Sequence, residues 1–419
     1  MPSRPAATVN NMSANQLIIN DPVYGFVTIP HGLLCEIIRH PLFQRLDRIH
    51  QLGLSCMVYP GAQHTRKQHS IGACHLMQQT FWSLCGKGIF FFDAEMEATE
   101  AAILMHDLGH GPYSHVLEQM FIRDVHHEAL SLHFMEMINK DLRGELALAI
   151  KIFKDEYPKH FLHELICSQL DMDRLDYLCR DSFFTGVREG NIGAERLIKM
   201  LNVVDEKLVV DYKGLYSVEN YLMARRLMYW QVYLHKTAIA AEEVLRAALR
   251  RAKWLIQQGT QLFCPPHLHY FLANDITFEQ FKASEKCWDY YALLDDSDIL
   301  SSLKIWQSAD DKILSTLARA FVNRRLFKVE VYDAPFPPER LEDLKRTIAG
   351  EMGIAPSDAD YFVTSRVVEK EMYSATSEGI EILFPDGEIK ELSSISHLVR
   401  NENANLQDRK YYILKLRTE

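Results

Sequence analysis

The 419-residue sequence has no CxxC pair among its eight cysteines, no apolar run of the roughly 18 residues a membrane helix needs, and no excess of positive charge. Its 46 Lys and Arg face 56 Asp and Glu, a formal net charge of −10. Each absence excludes something. Cysteines scattered through apolar stretches, such as Cys74 in IGACHLM and Cys167 in LICSQL, read as buried free thiols in a reducing compartment, not as a thiolate metal site or a disulfide framework. The start, MPSRPAATVNNMSANQ, has no apolar signal core, so no membrane association and a cytoplasmic location are expected. A net-negative chain suits neither bulk nucleic acid nor anionic membrane. Small phosphorylated molecules stay open, because a divalent cation and a few arginines reverse the field locally. GxxxxGK[ST] and HExxH are missing, and Gly109-x-Gly111 falls at a helix end, so it is not a dinucleotide fingerprint. There is no internal repeat and no low-complexity tract.

What is present is ordinary globular composition, 47% hydrophobic and 24% charged, enough for a sizeable core. Residues 1–16 are polar and expected to be disordered. LIINDPVYGFVTIP (17–30) predicts two short strands around a turn. From about 31 to 330 apolar residues recur at helical spacing, with helices expected over 33–50, 66–85, 94–108, 127–140, 161–181, 218–257 and 312–323. After about 328 the texture turns β-rich in LFKVEVYD, YFVTSRVV and GIEILFPDGEIKEL, with a helix in ERLEDLKRTIAGEMG and a hairpin signal at PDG. The expectation is a mainly α fold: a large domain over 17–327, with its core at about 60–185 and a helical extension at 186–327. A small α+β unit is expected over 328–419.

The densest chemistry is Met105-His106-Asp107-Leu108-Gly109-His110-Gly111-Pro112-Tyr113-Ser114-His115, three histidines and an aspartate in ten residues. The run DAEMEATEAAILM before it forms a helix with Asp93 as its expected N-cap. Gly109, Gly111 and Pro112 should end that helix just after Asp107. Neighbouring helical residues point about 100° apart, so His106 and Asp107 share an ion only beside a helix end, with other elements completing the shell. Thr65 and Gln68 form a capping-box pattern that puts His69 in the first turns of the next helix. In DMDRLDYLCRD, helical spacing puts Asp173, Tyr177, Arg180 and Asp181 on one side. So many carboxylates do not fit a dry face, and several must meet a cation, arginines or solvent. Two imidazoles and two carboxylates suit one first-row divalent ion with open, water-filled positions; the set does not say which metal. Taken singly, each of these residues also fits a structural or surface role.

Together the segments resemble the HD superfamily of metal-dependent phosphohydrolases, whose signature is a separated histidine, a His-Asp pair and a distal aspartate. Here these map onto His69, His106, Asp107 and Asp173. The strings INDPVYG, PLFQRLDRIHQLG, YPGAQHTRKQHSIG, HDLGHGPYSH, DMDRLDYLCRD and YLHK are similar to the deoxynucleoside triphosphate (dNTP) triphosphohydrolase branch over about residues 17–260. The resemblance implies an HD-domain helical bundle with the short N-terminal β-hairpin and the C-terminal α+β appendage. It also implies hydrolysis of dNTPs to deoxynucleoside and tripolyphosphate, and a homo-oligomer. It would place Arg66, Arg174 and Arg225 against the phosphates, with Tyr177, Tyr233, Asp181 and Gln51 around sugar and base. His110, His115 and His127 would serve hydrogen bonding and proton transfer at the α-phosphate, with His115 the favoured donor to the leaving oxygen. The bland readings stand beside these: His115 as a cap on the Gly-Pro turn, Arg225-Arg226 as a solvated face, Tyr233 as a core residue. His126, His160 and His163 read as structural or surface residues.

Two departures matter. The family's guanine-nucleotide effector site uses an acid and an arginine around the PxFQRL segment. Here Arg39 and Asp47 stand with the charges exchanged, so a nucleotide effector would need another design, or the two would salt-bridge across a turn. Tyr229 replaces a histidine four positions before Tyr233, which touches base and sugar preference more than chemistry. Other HD phosphoester hydrolysis, or weakly catalytic nucleotide sensing in an oligomer, are the competing functions.

Overall fold

The computed structural model describes residues 16–370, 373, 379–399 and 408–417, and the 1–15 part of the N-terminal expectation lies outside them. The fold is mainly α, as the helical periodicity predicts. The N-terminal hairpin pairs β1 (Leu17–Asp21) with β2 (Gly25–Ile29), antiparallel, Leu17 opposite Ile29. Asp21 makes its turn. One carboxylate oxygen accepts from the Val23 and Tyr24 amides at 2.8 and 3.0 Å, while the other accepts from Arg180 at 2.8 Å and ties the hairpin to the core.

Several expected helices are interrupted, each for a local reason. The 33–50 stretch divides into Leu33–Arg39, Pro41–Gln44 and a 3-10 turn Arg45–Arg48. His40 is extended at φ −64°, ψ 137° because the residue before a proline is pushed out of the α region. Helix Arg66–Gly86 begins as its capping box requires, with Gln68 Oε1 accepting from the Thr65 amide at 2.9 Å. Helix Asp93–Met105 differs at both ends. Asp93 is its first helical residue; Phe92 is the N-cap, and the Glu95 carboxylate accepts from the Phe92 amide at 2.9 Å. The helix stops two residues before the expected end. His106 Nδ1 donates to the Ile103 carbonyl at 2.6 Å, the oxygen that Asp107 N–H would use in a continuing helix.

The 161–181 stretch divides into Phe161–Glu164 and Met172–Thr185. Asp171 caps the second helix, accepting from the Arg174 amide at 2.6 Å. The 218–257 stretch becomes helix Leu215–Met228, a π-helical turn Tyr229–Tyr233 and helix Lys236–Gln257, whose N-cap His235 accepts from the Thr237 amide. The helices Arg66–Gly86, Asp93–Met105 and Met172–Thr185 pack together around one apolar core.

The C-terminal segment does two things. Strands β7 (Lys328–Tyr332), β8 (Val363–Lys370) and β11 (Asp408–Lys415) form a sheet in the order β7-β11-β8, joined by helix Pro338–Met352. The PDG hairpin, β9 (Glu381–Leu383) with β10 (Ile389–Glu391), does not join it. It pairs in parallel with β5 (Lys207–Asp211), extending the hairpin made with β4 (Leu201–Val204). Among the described residues, no helix is long and apolar enough to cross a membrane.

Candidate active site

Three helices bring the four predicted ligands close together: His69, His106 and Asp173 form one cluster of donor atoms, and Asp107 beside them forms a second with His110 and His127. His69 comes from the first turn of Arg66–Gly86, His106 and Asp107 from the end of Asp93–Met105, and Asp173 from the first turn of Met172–Thr185. His69 Nε2 lies 3.0 Å from Asp173 Oδ1, 3.3 Å from His106 Nε2 and 3.7 Å from Asp107 Oδ2. His106 Nε2 lies 3.4 Å from Asp107 Oδ1 and 3.5 Å from Asp173 Oδ1. Ligands about 2.1–2.2 Å from a first-row cation stand about 3.0 Å apart at right angles and about 3.5 Å apart at tetrahedral angles. The observed spacings fall in that range, His69–Asp107 just beyond it.

The donor chemistry agrees. His106 gives its Nδ1 proton to the Ile103 carbonyl, and His69 Nδ1 meets the Asp176 carboxylate at 2.7 Å. Both imidazoles therefore turn an Nε2 lone pair toward two carboxylates, an arrangement that requires a cation or protons between them. With protons as the alternative, His69 is pushed up to about 10: burial opposes its charge, but Asp173 and Asp176 outweigh burial. Burial likewise opposes the charge on Asp107, yet Arg66, His106 and His110 hold its carboxyl well below the usual range. The residues fit a divalent cation.

Asp176 is a functional residue that the motif reading passed over. It is fully buried, orients His69, and takes a bidentate grip from Arg180, whose Nε and Nη2 donate at 2.9 Å each. Its signal was present as the i, i+4 pair with Arg180.

A cleft of about 330 Å³ is lined by Asp107 and Asp173 of the cluster. Its walls include Gln51, Arg66, Asp107, His110, His127, Asp173, Arg174, Tyr177, Asp181 and Tyr233, all predicted for this site from sequence. Arg66 is buried, donating to Asp107 Oδ2 at 2.6 Å and to Ser114 Oγ at 3.0 Å. Arg174 donates to the Ser168 carbonyl at 2.6 Å and to Asp171. Asp181 accepts from Tyr233 at 2.7 Å and lies 2.7 Å from His64, a partner that sequence reading missed. Tyr177 meets the Tyr233 ring edge-to-face. The Gln51 side-chain Oε1 is buried in the cleft wall and has no hydrogen-bond partner among the described residues. His110 and His127 stack with centroids 3.9 Å apart. Burial, Arg66 and His127 hold His110 well below the usual histidine range, while His110 Nε2 lies 3.3 Å from Asp107 Oδ1.

Two expectations fall elsewhere, and a third is not described. Arg225 does not line the cleft; it is buried, donating to Gln169 at 3.0 Å and standing over the Tyr221 ring. Asp47 approaches Lys67 at 3.5 Å and accepts from Thr65, whereas Arg39 is exposed, so the pair forms no bridge across the turn. The side chain of His115 lies outside the described residues.

The family model for the HD associated region matches residues 192–261. The crystal structure of a phosphohydrolase from Bacteroides thetaiotaomicron superposes with a TM-score of 0.93 at 53% identity, covering 96% of this chain and all of that one. This chain is an HD-family phosphohydrolase. An uncharacterised Bacillus subtilis protein, YwfO, is 32% identical over 97% of this chain and 94% of its own length. The Dictyostelium discoideum homologue of the deoxynucleoside triphosphate triphosphohydrolase SAMHD1 is 28% identical over 59% of this chain, which spans only 52% of that relative. For an HD phosphohydrolase, the His-Asp cluster at the floor of a cleft is the expected place for a divalent metal.

Proposed function

We propose that this HD phosphohydrolase hydrolyses dNTPs to deoxynucleoside and tripolyphosphate, using one divalent cation held by His69, His106, Asp107 and Asp173. One observation carries the reading: Asp107 and Asp173 of the cluster line the same cleft as Gln51, Tyr177, Asp181 and Tyr233. A divalent cation held there would supply Lewis acidity toward a phosphoryl oxygen and would lower the pKa of water so that hydroxide is available as the nucleophile at neutral pH. The protein's own groups do the rest. Arg174 is fixed by Ser168 and Asp171 at the cleft wall, where a guanidinium takes a phosphate bidentately. Arg66 holds Asp107 in place and keeps a positive charge beside the reacting phosphate. Asp181, fixed by Tyr233 and His64, accepts from a sugar hydroxyl, and Tyr177 closes the sugar side. His110 and His127 hydrogen-bond the α-phosphate, and His115 is assigned proton delivery to the leaving oxygen. Gln51 Oε1, without a donor among the described residues, accepts one from sugar or base in this reading. A homo-oligomer is part of the same reading.

The test is product identification. Metal-replete protein incubated with each dNTP should release deoxynucleoside and tripolyphosphate, seen by phosphorus NMR. Orthophosphate or pyrophosphate as the only phosphorus product would rule the reading out.

One observation favours a second reading, an HD hydrolase of less charged phosphoesters such as nucleoside monophosphates. Only Arg66 and Arg174 among the predicted arginines line the cleft, and Arg66 is engaged by Asp107. Turnover confined to monophosphates or cyclic nucleotides would decide for it.

A further inference from the structure

The loop that carries Asp107 and His110 is clamped by a turn almost two hundred residues downstream. Asp296, 5% exposed, accepts from the Tyr113 amide through Oδ1 at 2.7 Å. Its Oδ2 accepts from the His50 amide at 2.9 Å and lies 2.6 Å from His50 Nδ1. In the same turn, the Tyr291 hydroxyl donates to the Gly109 carbonyl at 2.9 Å. Arg45, fully buried under Tyr291, bridges the carbonyls of Leu108 and Leu294.

What the clamp holds is strained. Tyr113 and Ser114 are consecutive non-glycine residues in left-handed conformation, at φ 52° and 57°. Such residues persist only where their surroundings over-determine them. The strain has a product. It sets Ser114 Oγ between the His50 carbonyl, 3.2 Å away, and Arg66 Nε, 3.0 Å away. Arg66 in turn grips Asp107. From Asp296 to Asp107 every link is a hydrogen bond or an adjacent residue.

We infer that Asp296 is a positioning residue of the metal centre: it fixes the strained Tyr113–Ser114 turn, and through Ser114 and Arg66 it sets the orientation of the Asp107 carboxylate. The segment from Tyr291 to Asp296 then belongs to the active-site unit although it touches no ligand atom. The inference rests on the reading of His69, His106, Asp107 and Asp173 as a cation site.

Cobalt(II) is the probe, because its visible absorption reports ligand geometry while thermal unfolding separately reports stability. D296N keeps an acceptor for Tyr113 but places amide hydrogens against the His50 N–H. S114A leaves the clamp whole and removes one relay oxygen. The cobalt band of D296N should shift and its cobalt affinity fall about 10-fold, the size usual for groups that orient ligands. S114A should shift the band the same way, and the double variant should be no worse than D296N. An unshifted band in folded D296N, with only the melting temperature lowered, overturns the inference. If D296N does not fold, S114A decides alone, and an unshifted band there overturns it. A wild-type protein that takes up no cobalt overturns the cation site itself, and this inference with it.

Discussion

Replacing Gly72 by alanine tests how the metal centre is braced. Gly72 lies one turn after His69 in helix Arg66–Gly86, where alanine normally gains about 1 kcal/mol in propensity. The structure reverses the sign. An added Cβ would stand 2.0 Å from Asp176 Oδ1 and 2.1 Å from Arg180 Nη2, both side chains fully buried. Neither can retreat freely, since Arg180 is also held by Asp21 and Asp176 by His69. Disrupting a buried pair costs about 3–5 kcal/mol, so the net loss in G72A should be about 2–4 kcal/mol. Because Asp176 orients His69, manganese affinity should also fall about 10- to 100-fold. Thermal unfolding with and without metal, and calorimetric manganese titration, read the two effects. A G72A protein as stable as wild type, with unchanged manganese affinity, would refute the reasoning that this ion pair is packed rigidly against the helix backbone.

Other expectations follow from the same geometry. H106A should lose metal and activity together, because it removes a ligand; metal content by mass spectrometry checks the first and turnover the second. R174A should raise KM for a phosphorylated substrate about 10-fold or more, while R225A, away from the cleft wall, should leave KM within about threefold and act on stability instead. The Glu100 carboxyl is pushed up to about 7, mainly by burial, with Gln78 opposing and Glu97 adding to the rise. An acid with a raised folded-state pKa holds its proton in the native protein after the unfolded chain has released it. Stability therefore falls as pH rises from about 4.5 to 7 and levels off above. E100Q should raise stability by roughly 2–3 kcal/mol at pH 8 and by almost nothing at pH 4.5, measured by urea unfolding.

The centre was legible because its chemistry is local. Each predicted ligand sits in a short string, and two of those strings carry readable caps and punctuation: Thr65 and Gln68 before His69, Gly109 to Pro112 after Asp107. The cleft walls were legible for the same reason, since Tyr177 and Asp181 follow Asp173 at helical spacing. What escaped was set by tertiary partners. Arg225 looks like Arg66 in sequence, and tertiary partners such as Gln169 and Tyr221 decide where its charge goes. Asp296 reads as one more acid at a helix start, and nothing in its neighbourhood names Tyr113 as its partner. Helix ends failed where a side chain took a backbone acceptor, as His106 does at Ile103, or where a proline acted backward on His40. The PDG hairpin was read as a turn correctly, but its pairing with β5, far upstream, is a long-range choice that a local pattern does not encode.

The order of strands in the C-terminal sheet has a consequence for synthesis. Among the described residues β11 is the last strand in sequence and also the middle one of its sheet, pairing with β7 on one side and β8 on the other. Until it leaves the ribosome, β7 and β8 have no partner between them and stand as open edges. That sheet can close only once β11 has been made, so a chain lacking β11 would expose two unpaired strands next to an otherwise finished helical body.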